Sequence, residues 1–318
     1  MTPSRASMLA LLLTTVLLST NAEAQDDYVV GLFTPSLDFA DGVARNDFVS
    51  KVAEKLSDDT GMSWTGQAYA RSSDFESALR KGALDLVIID GEYHSAKGSK
   101  LQAVASLSAS GKSSRAMKLV TKRGRFNALH ELRGYRLVLP DAGGYAERFV
   151  SNEILGGELS AAEFFASVDE AKDVRAAINA VELGNADATL VFEGYESGLQ
   201  SIESTRSVPL PIIAIASSRI QGELASSVKQ GARSITVSGA KIISSASSYN
   251  DSAVRDYRTV CNRKRTSLQP ELLAPSELSL ELGTFSVVSR KESLQPSSRA
   301  SSFVVPSIEE IQVHPEYR

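Results

Sequence analysis

The sequence predicts an α/β protein of two similar lobes, each a mainly parallel sheet flanked by helices, joined by two crossings of the chain. Three observations carry this reading. Short apolar runs of strand length alternate with stretches of helical spacing from Tyr28 onward, the order that builds layered parallel sheets. A unit of helix, glycine stop, buried strand and polar loop occurs twice, at Ser73 to Tyr93 and at Ser167 to Tyr195. Strand-like runs at Ala116 to Thr121 and, after Val208-Pro209-Leu210-Pro211, at Ile212 to Ala216 mark where the chain would leave one lobe and return.

Tyr28 to Phe33 reads as the first strand and runs into the turn Thr34-Pro35-Ser36. A helix follows over about Val43 to Leu56, with Asp41 as its cap and Phe48, Val52 and Leu56 at helical spacing. Trp64 to Ala70 is a strand. In the repeated unit, Ser73 with Glu76 and Ser167 with Glu170 read as capping boxes, and Gly82 and Gly184 as helix stops. Leu84 to Ile89 and Ala188 to Phe192 read as strands covered on both faces. With Gly82 set on Gly184, Asp85 falls on Asp187 and Tyr93 on Tyr195. Leu101 to Ser114 is a Ser- and Ala-rich connection, and His130 to Gly134 a helical turn before the strand Arg136 to Leu139. A helix is expected from about Tyr145 to Leu155, a short strand at Phe164-Phe165, and a helix over Gln221 to Gly231. Beyond Ser244 the pattern weakens, with short strands at Leu278 to Leu282 and Phe285 to Val288 in a tail that packs on the first lobe or stays partly disordered. The boundaries are 1–24 for a leader, 25–115 and 116–211 for the lobes, 212–243 for the return, and 244–318 for an extension.

The leader has the form of a secretory signal: Arg5, an apolar run from Met8 to Leu18, and Ala22-Glu23-Ala24 as the cleavage site, leaving Gln25 first. The run is shorter than the ~20 residues of a spanning helix, and no other stretch is long and apolar enough. Cys261 is the one cysteine, so no internal disulfide forms, and it is not placed for a lipid anchor. A periplasmic location, without a membrane span in the mature chain, follows as the expectation. The net charge of −4 argues against nucleic-acid binding, which needs a basic face.

His94, His130 and His314 are scattered, and no metal-ligand spacing, phosphate loop, dinucleotide fingerprint or nucleophile elbow is present. No cofactor, no metal and no enzymatic activity are therefore expected. What remains are polar groups at the carboxyl ends of strands, where open α/β sheets bind ligands. These are Ser36 and Asp38, Asp90 and Tyr93, Asp141 to Tyr145, and Glu193 with Tyr195. Ser36 after Pro35 reads equally as a turn residue, and Asp90-Gly91 as a turn. Asp85 and Asp187 fall at the opposite strand ends and read as structural. Gly143-Gly144 before a helix offers backbone N–H groups to an anion, with Arg148 one turn on; the alternative is a tight turn beside a solvated arginine.

The Gly31-Leu32-Phe33-Thr34-Pro35 opening, Ala78-x-x-x-Gly82-x-x-Asp85 followed by Tyr93, Leu132-Arg133-Gly134 before a strand, and Gly184-x-x-Asp187 resemble, in their order, the periplasmic solute-binding proteins of the phosphate/phosphite/phosphonate ABC-transporter type. The resemblance covers about Tyr28 to Arg233. It implies a type II periplasmic-binding fold closing on its ligand, a permease in the inner membrane as partner, and a monomer. It sets Tyr93 on the family's lobe-one tyrosine and Asp141 to Tyr145 on its anion loop. There Ala142, Gly143 and Gly144 stand where phosphonate binders carry hydroxyls, and Glu193 lies near acids that hold a ligand amine. The expected ligand is a small anionic solute, bound by Ser36, Asp90, Tyr93, Asp141, Gly143, Gly144, Tyr145, Arg148, Glu193 and Tyr195. The alternatives are a sensing protein of the same fold that feeds a membrane receptor and, ranked last, an enzyme using Cys261 or a cleft carboxylate.

Overall fold

The computed structural model describes residues 27–143, 145–237 and 239–264. The leader, Gly144 and the expected strands at 278–282 and 285–288 lie outside the described residues. Among the described residues no helix is long and apolar enough to cross a membrane.

The elements run in chain order as β1 (Tyr28–Phe33), α1 (Gly42–Thr60), β2 (Trp64–Ala68), α2 (Ser72–Arg80), β3 (Leu86–Ile89), α3 (Gly91–Lys97), β4 (Gln102–Ser108) and β5 (Ser114–Lys122). Then come β6 (Arg136–Pro140), α4 (Ala146–Phe149), α5 (Ala161–Phe164), β7 (Ser167–Ala171), α6 (Val174–Glu182), β8 (Ala188–Phe192) and β9 (Leu199–Pro209). β10 (Ile212–Ile215), α7 (Gly222–Arg233), β11 (Ser245–Ser248) and α8 (Asp251–Cys261) complete the described chain. Two sheets result. The first has six strands in the order β11-β4-β10-β3-β1-β2, and the second five in the order β7-β6-β8-β5-β9. β1 pairs parallel with β2 and β3, and β6 pairs parallel with β7 and β8. The returning strand β10 runs antiparallel between β3 and β4, and β5 antiparallel between β8 and β9. The chain passes between sheets at residues 109–113 and 210–211. The crossings lie side by side, tied by Leu107 N to Pro211 O at 2.7 Å and Leu210 N to Ser113 O at 3.0 Å.

The repeated unit is real in three dimensions at its glycine stop and its aspartate. Gly82 and Gly184 both have positive φ, +67° and +78°. Each closes a Schellman motif: Gly82 N bonds Leu79 O and Ala83 N bonds Ala78 O, while Gly184 N bonds Val181 O and Asn185 N bonds Ala180 O. Asp85 takes the N–H of Val29 at 3.0 Å and Asp187 that of Arg136 at 2.9 Å, so each buried carboxylate pins the start of the neighbouring strand. Arginines neutralise both: Arg219 on Asp85 at 2.6 Å, and Arg125 and Arg136 on Asp187 at 2.6 and 3.0 Å.

Asp41 caps α1 as expected, accepting from Ala44 N at 2.8 Å, but the two expected capping boxes do not form. Ser73 lies inside α2, which starts at Ser72 with no side-chain cap bond. Ser167 and Glu170 belong to strand β7, and α6 is capped instead by Asp173, which accepts from Ala176 N. The box of this region is Ser160 with Glu163, heading α5, so Phe164 ends a helix and is not in a strand. The expected helix 145–155 is one α-turn continued by a π-turn, Val150–Ile154. The Ser- and Ala-rich connection contains β4, buried between β10 and β11. Past residue 244 the chain continues in the fold: β11 pairs with β4, and α8 lies against both lobes. Arg258 of α8 donates to Ser95 O in α3 at 3.1 Å, Asn152 donates to Val260 O at 2.8 Å, and Tyr257 stacks on Phe149 at 4.9 Å.

Candidate functional site

The two sheets meet along the carboxyl ends of their parallel strands, and the contact is built from loops that the strands aim at each other. On the first lobe the loop after β1 is held by Asp90 at the end of β3. Its carboxylate takes Ser36 N at 2.9 Å and Ser36 Oγ at 2.5 Å. The same loop then reaches across. Asp38 N donates to Tyr195 Oη at 3.1 Å, Val174 N donates to Pro35 O at 2.8 Å, and Arg175 pairs with Asp38 at 2.7 Å. Arg45 meets Asp173 at 3.3 Å, and Ser72 Oγ donates to Asp141 Oδ2 at 2.7 Å. The two neutral bonds among these, Asp38 N to Tyr195 and Val174 N to Pro35, contribute ~1 kcal/mol each. Together all these contacts hold the lobes shut.

Inside this seam lies a cavity of about 10 Å³, room for about one water molecule. Its walls differ in chemistry. The first lobe supplies Ser36 and Glu92, and the second supplies Met117, Leu139, Pro140, Ala142, Ala146 and Leu190. Glu92 is 2% exposed, and its Oε2 has no hydrogen-bond partner. Burial, then repulsion from Asp90, pushes its pKa up to about 8, with the nearby Tyr257 hydroxyl tempering the shift. Burial likewise raises Asp90 to about 7, against the lowering pull of the Ser36 bonds and Arg45. Thr34 Oγ1 and Tyr257 Oη are also buried without a hydrogen bond of standard geometry.

A larger recess of about 700 Å³ opens on the outer edge of the seam, between Phe39 with the first turn of α1, which carries Arg45, and helix α6. Its arginines are already committed, Arg45 to Asp173 and Arg175 to Asp38.

The expected site residues do not all come together. Ser36, Asp90, Asp141, Gly143 and Tyr195 converge on the seam. Tyr93 does not flank an open cleft. It is buried in an aromatic cluster of the first lobe with Phe33 and Phe75, at centroid distances of 5.8 and 5.5 Å, and Gly143 of the second lobe packs on its ring. Burial, then the charge of Glu76, raises its pKa to about 12. Tyr195 is buried too, and its hydroxyl makes the bond to Asp38 N. Tyr145 is half-buried at the start of α4.

Arg148 is corrected: it lies exposed over the Tyr145 ring and lines a recess with Cys261 and Arg263, apart from the cavity. The helix turn carries it to the outer face, because Ala146 and Phe149 take the buried face. Glu193 pairs with Lys118 at 3.4 Å and is half-exposed. No cation lines the cavity, so the expected anion site is not assembled in this arrangement. Cys261 is buried, and burial raises its thiol to about 12, which removes it as a thiolate at neutral pH. Among the described residues no cluster of His, Cys, Asp and Glu is fit to hold a metal.

Glu92 was missed in the sequence, although it stands beside Tyr93. Read as a loop, Asp90 to Tyr93 gave no facing. With α3 starting at Gly91, Tyr93 turns into the first lobe and Glu92 toward the seam.

No family model matches the chain, and no curated sequence does. Solved structures match at the level of fold. PhnD1 from Prochlorococcus marinus in complex with methylphosphonate superposes with a TM-score of 0.59 at 12% identity, over 74% of this chain and 97% of that one. A binding-protein component of an ABC phosphonate transporter from Pseudomonas aeruginosa gives 0.57 at 10% identity, over 74% and 86%. A Xanthomonas citri protein bound to ATP gives 0.56 at 11%, over 76% and 99%. The chain thus has the two-lobed type II periplasmic-binding fold, similar to that of phosphonate-transporter binding proteins.

Proposed function

We propose that the chain is an exported solute-binding protein that captures a small molecule between its lobes and presents it to an ABC permease. The observation that carries this reading is the seam itself: two sheets joined by paired short crossings, with loop contacts from both lobes around a cavity that is polar on the first-lobe side and apolar on the second. Such a seam opens and closes as a rigid-body movement, and a solute that touches both lobes favours the closed state by its differential affinity. The cavity is too small for a phosphonate, so capture involves a closed state with the lobes further apart. An anionic solute loses support from the outward placement of Arg148. Fold alone does not choose the ligand.

The test is a thermal-shift screen of the mature chain with phosphate, phosphonates, sulfonates, amines and amino acids, backed by small-angle scattering. At least one class raises the melting temperature in a saturable way and lowers the radius of gyration. A flat screen with unchanged scattering overturns solute capture. Sensing is the second reading, favoured by the number of lobe-to-lobe bonds made by the chain's own groups. It predicts that the solute opens the protein and raises the radius of gyration.

A further inference from the structure

We infer that the cleft takes a small primary alkylammonium, its charged head against Glu92 and Ser36 and its short aliphatic body against the apolar wall of the second lobe. The inference rests on the solute-capture reading and names its ligand class. Four features carry it. Glu92 is a buried carboxyl in a cavity wall, and its Oε2 makes no hydrogen bond of standard geometry although the Tyr257 hydroxyl lies nearby. A buried polar atom without a partner calls for an explanation, and a bound donor is one. An ammonium head carries three donors and no acceptor, which suits Glu92 Oε2 and the acceptor capacity left on Ser36 Oγ. The opposite wall, with Met117, Leu139, Ala142 and Leu190, offers no hydrogen-bonding side chain and suits methylene groups. Finally, the ionisable group lining the cavity is an acid, and the second lobe contributes no charge to the wall. An anion there would meet Glu92 and, behind it, Asp90.

The protonation of Glu92 adds a signature. Its neighbours in charge are Asp90 on the same loop, and Tyr257 and Cys261 on α8; Arg45 acts on Asp90. Burial keeps Glu92 protonated at neutral pH. An alkylammonium pairs with the carboxylate, so binding at pH 7 drives a proton off the protein.

The experiment is calorimetric titration of the mature chain with n-propylammonium, tetramethylammonium, methylphosphonate and propionate, in two buffers of different ionisation enthalpy. Propylammonium is expected to bind at least tenfold more tightly than tetramethylammonium, which has no donors. Its enthalpy should differ between buffers by close to one proton's worth. Glu92→Gln should weaken propylammonium binding at least tenfold, and Met117→Ser should weaken it several-fold. The proton count on the wild type stands even if Glu92→Gln fails to fold. Equal propylammonium binding by wild type and Glu92→Gln, or no proton release, overturns the inference. Binding of methylphosphonate or propionate without propylammonium overturns the amine and leaves solute capture standing. Silence with all four and an unchanged radius of gyration removes both.

Discussion

Glu92 and Asp90 show how one turn of chain can carry opposite duties. Asp90 has both oxygens engaged by Ser36 and serves as a brace for the β1 loop. Glu92, two residues on, has at the seam an oxygen with no hydrogen bond of standard geometry. Its raised pKa makes the native state hold a proton that the unfolded chain, with a carboxyl near 4.5, has already lost. Stability is therefore greatest below about pH 4.5 as far as this group is concerned, and falls as pH rises toward about 8. Asp90, raised to about 7, acts in the same direction. Glu92→Gln keeps the shape and removes the titration. The variant should be more stable than wild type at pH 8, by roughly 2 kcal/mol or more given 1.36 kcal/mol per unit, and nearly equal at pH 5. Urea midpoints taken from pH 5 to pH 8 check this, and parallel profiles for the two proteins would rule it out. Sequence reasoning picked Asp90 and passed over Glu92, since the choice depends on which way α3 faces as it leaves β3. That facing is set by the aromatic contacts of Tyr93 with Phe33 and Phe75, residues 60 and 18 positions away.

Among the elements, the strands with apolar runs were legible, and of the edge strands only β2 was. β3 and β8 are buried throughout and read as such. β7, β9 and β11 sit at sheet edges, where one face and one row of backbone groups meet solvent. Their sequences, Ser-Val-Asp-Glu-Ala among them, carry no apolar run to announce a strand. β4 is central yet made of small residues, and its burial comes from β10, which arrives a hundred residues later. The glycine stops were legible because their cause is local. Gly82 and Gly184 stand in left-handed backbone that a side chain adopts only under strain, and a Cβ at either would meet nothing within 4 Å. Only the backbone term is therefore lost on substitution. Gly82→Ala and Gly184→Ala should each cost about 1 kcal/mol and add in the double variant, since the two motifs lie in different lobes. Denaturant melts of the two single variants and the double test this. A cost several times larger at one site would mean that the two motifs, alike in their hydrogen bonds, are not equivalent.

At the scale of the whole molecule, the two-lobed plan was legible because two crossings and a repeated unit are long-range facts written in sequence order. The closed seam was not, because it depends on contacts between loops more than a hundred residues apart, such as Asp38 with Tyr195 and Arg45 with Asp173. Gly143 is one of the close approaches in that seam. A Cβ built on it would stand 2.8 Å from Tyr93 Cδ2, across the lobe boundary, and its φ of +97° disfavours any side chain. The Tyr93 ring has little freedom to yield, held by Phe33 and Phe75 on its own side. Gly143→Ala should therefore part the lobes without unfolding either. Overpacking of this kind costs about 1–3 kcal/mol, which moves the closed-to-open ratio by roughly 5- to 150-fold. The radius of gyration should rise, and any cleft ligand should bind more weakly in proportion to the closed population lost. Local strain at φ +97° would also destabilise the variant, so the clash needs its own control. Gly143→Ala combined with Tyr93→Leu removes the ring that the methyl strikes and leaves the backbone strain in place. Recovery of the compact form in the double variant assigns the opening to the clash. An expanded double variant assigns it to the backbone, and a Gly143→Ala protein as compact as wild type would show that the glycine does not set how closely the lobes approach.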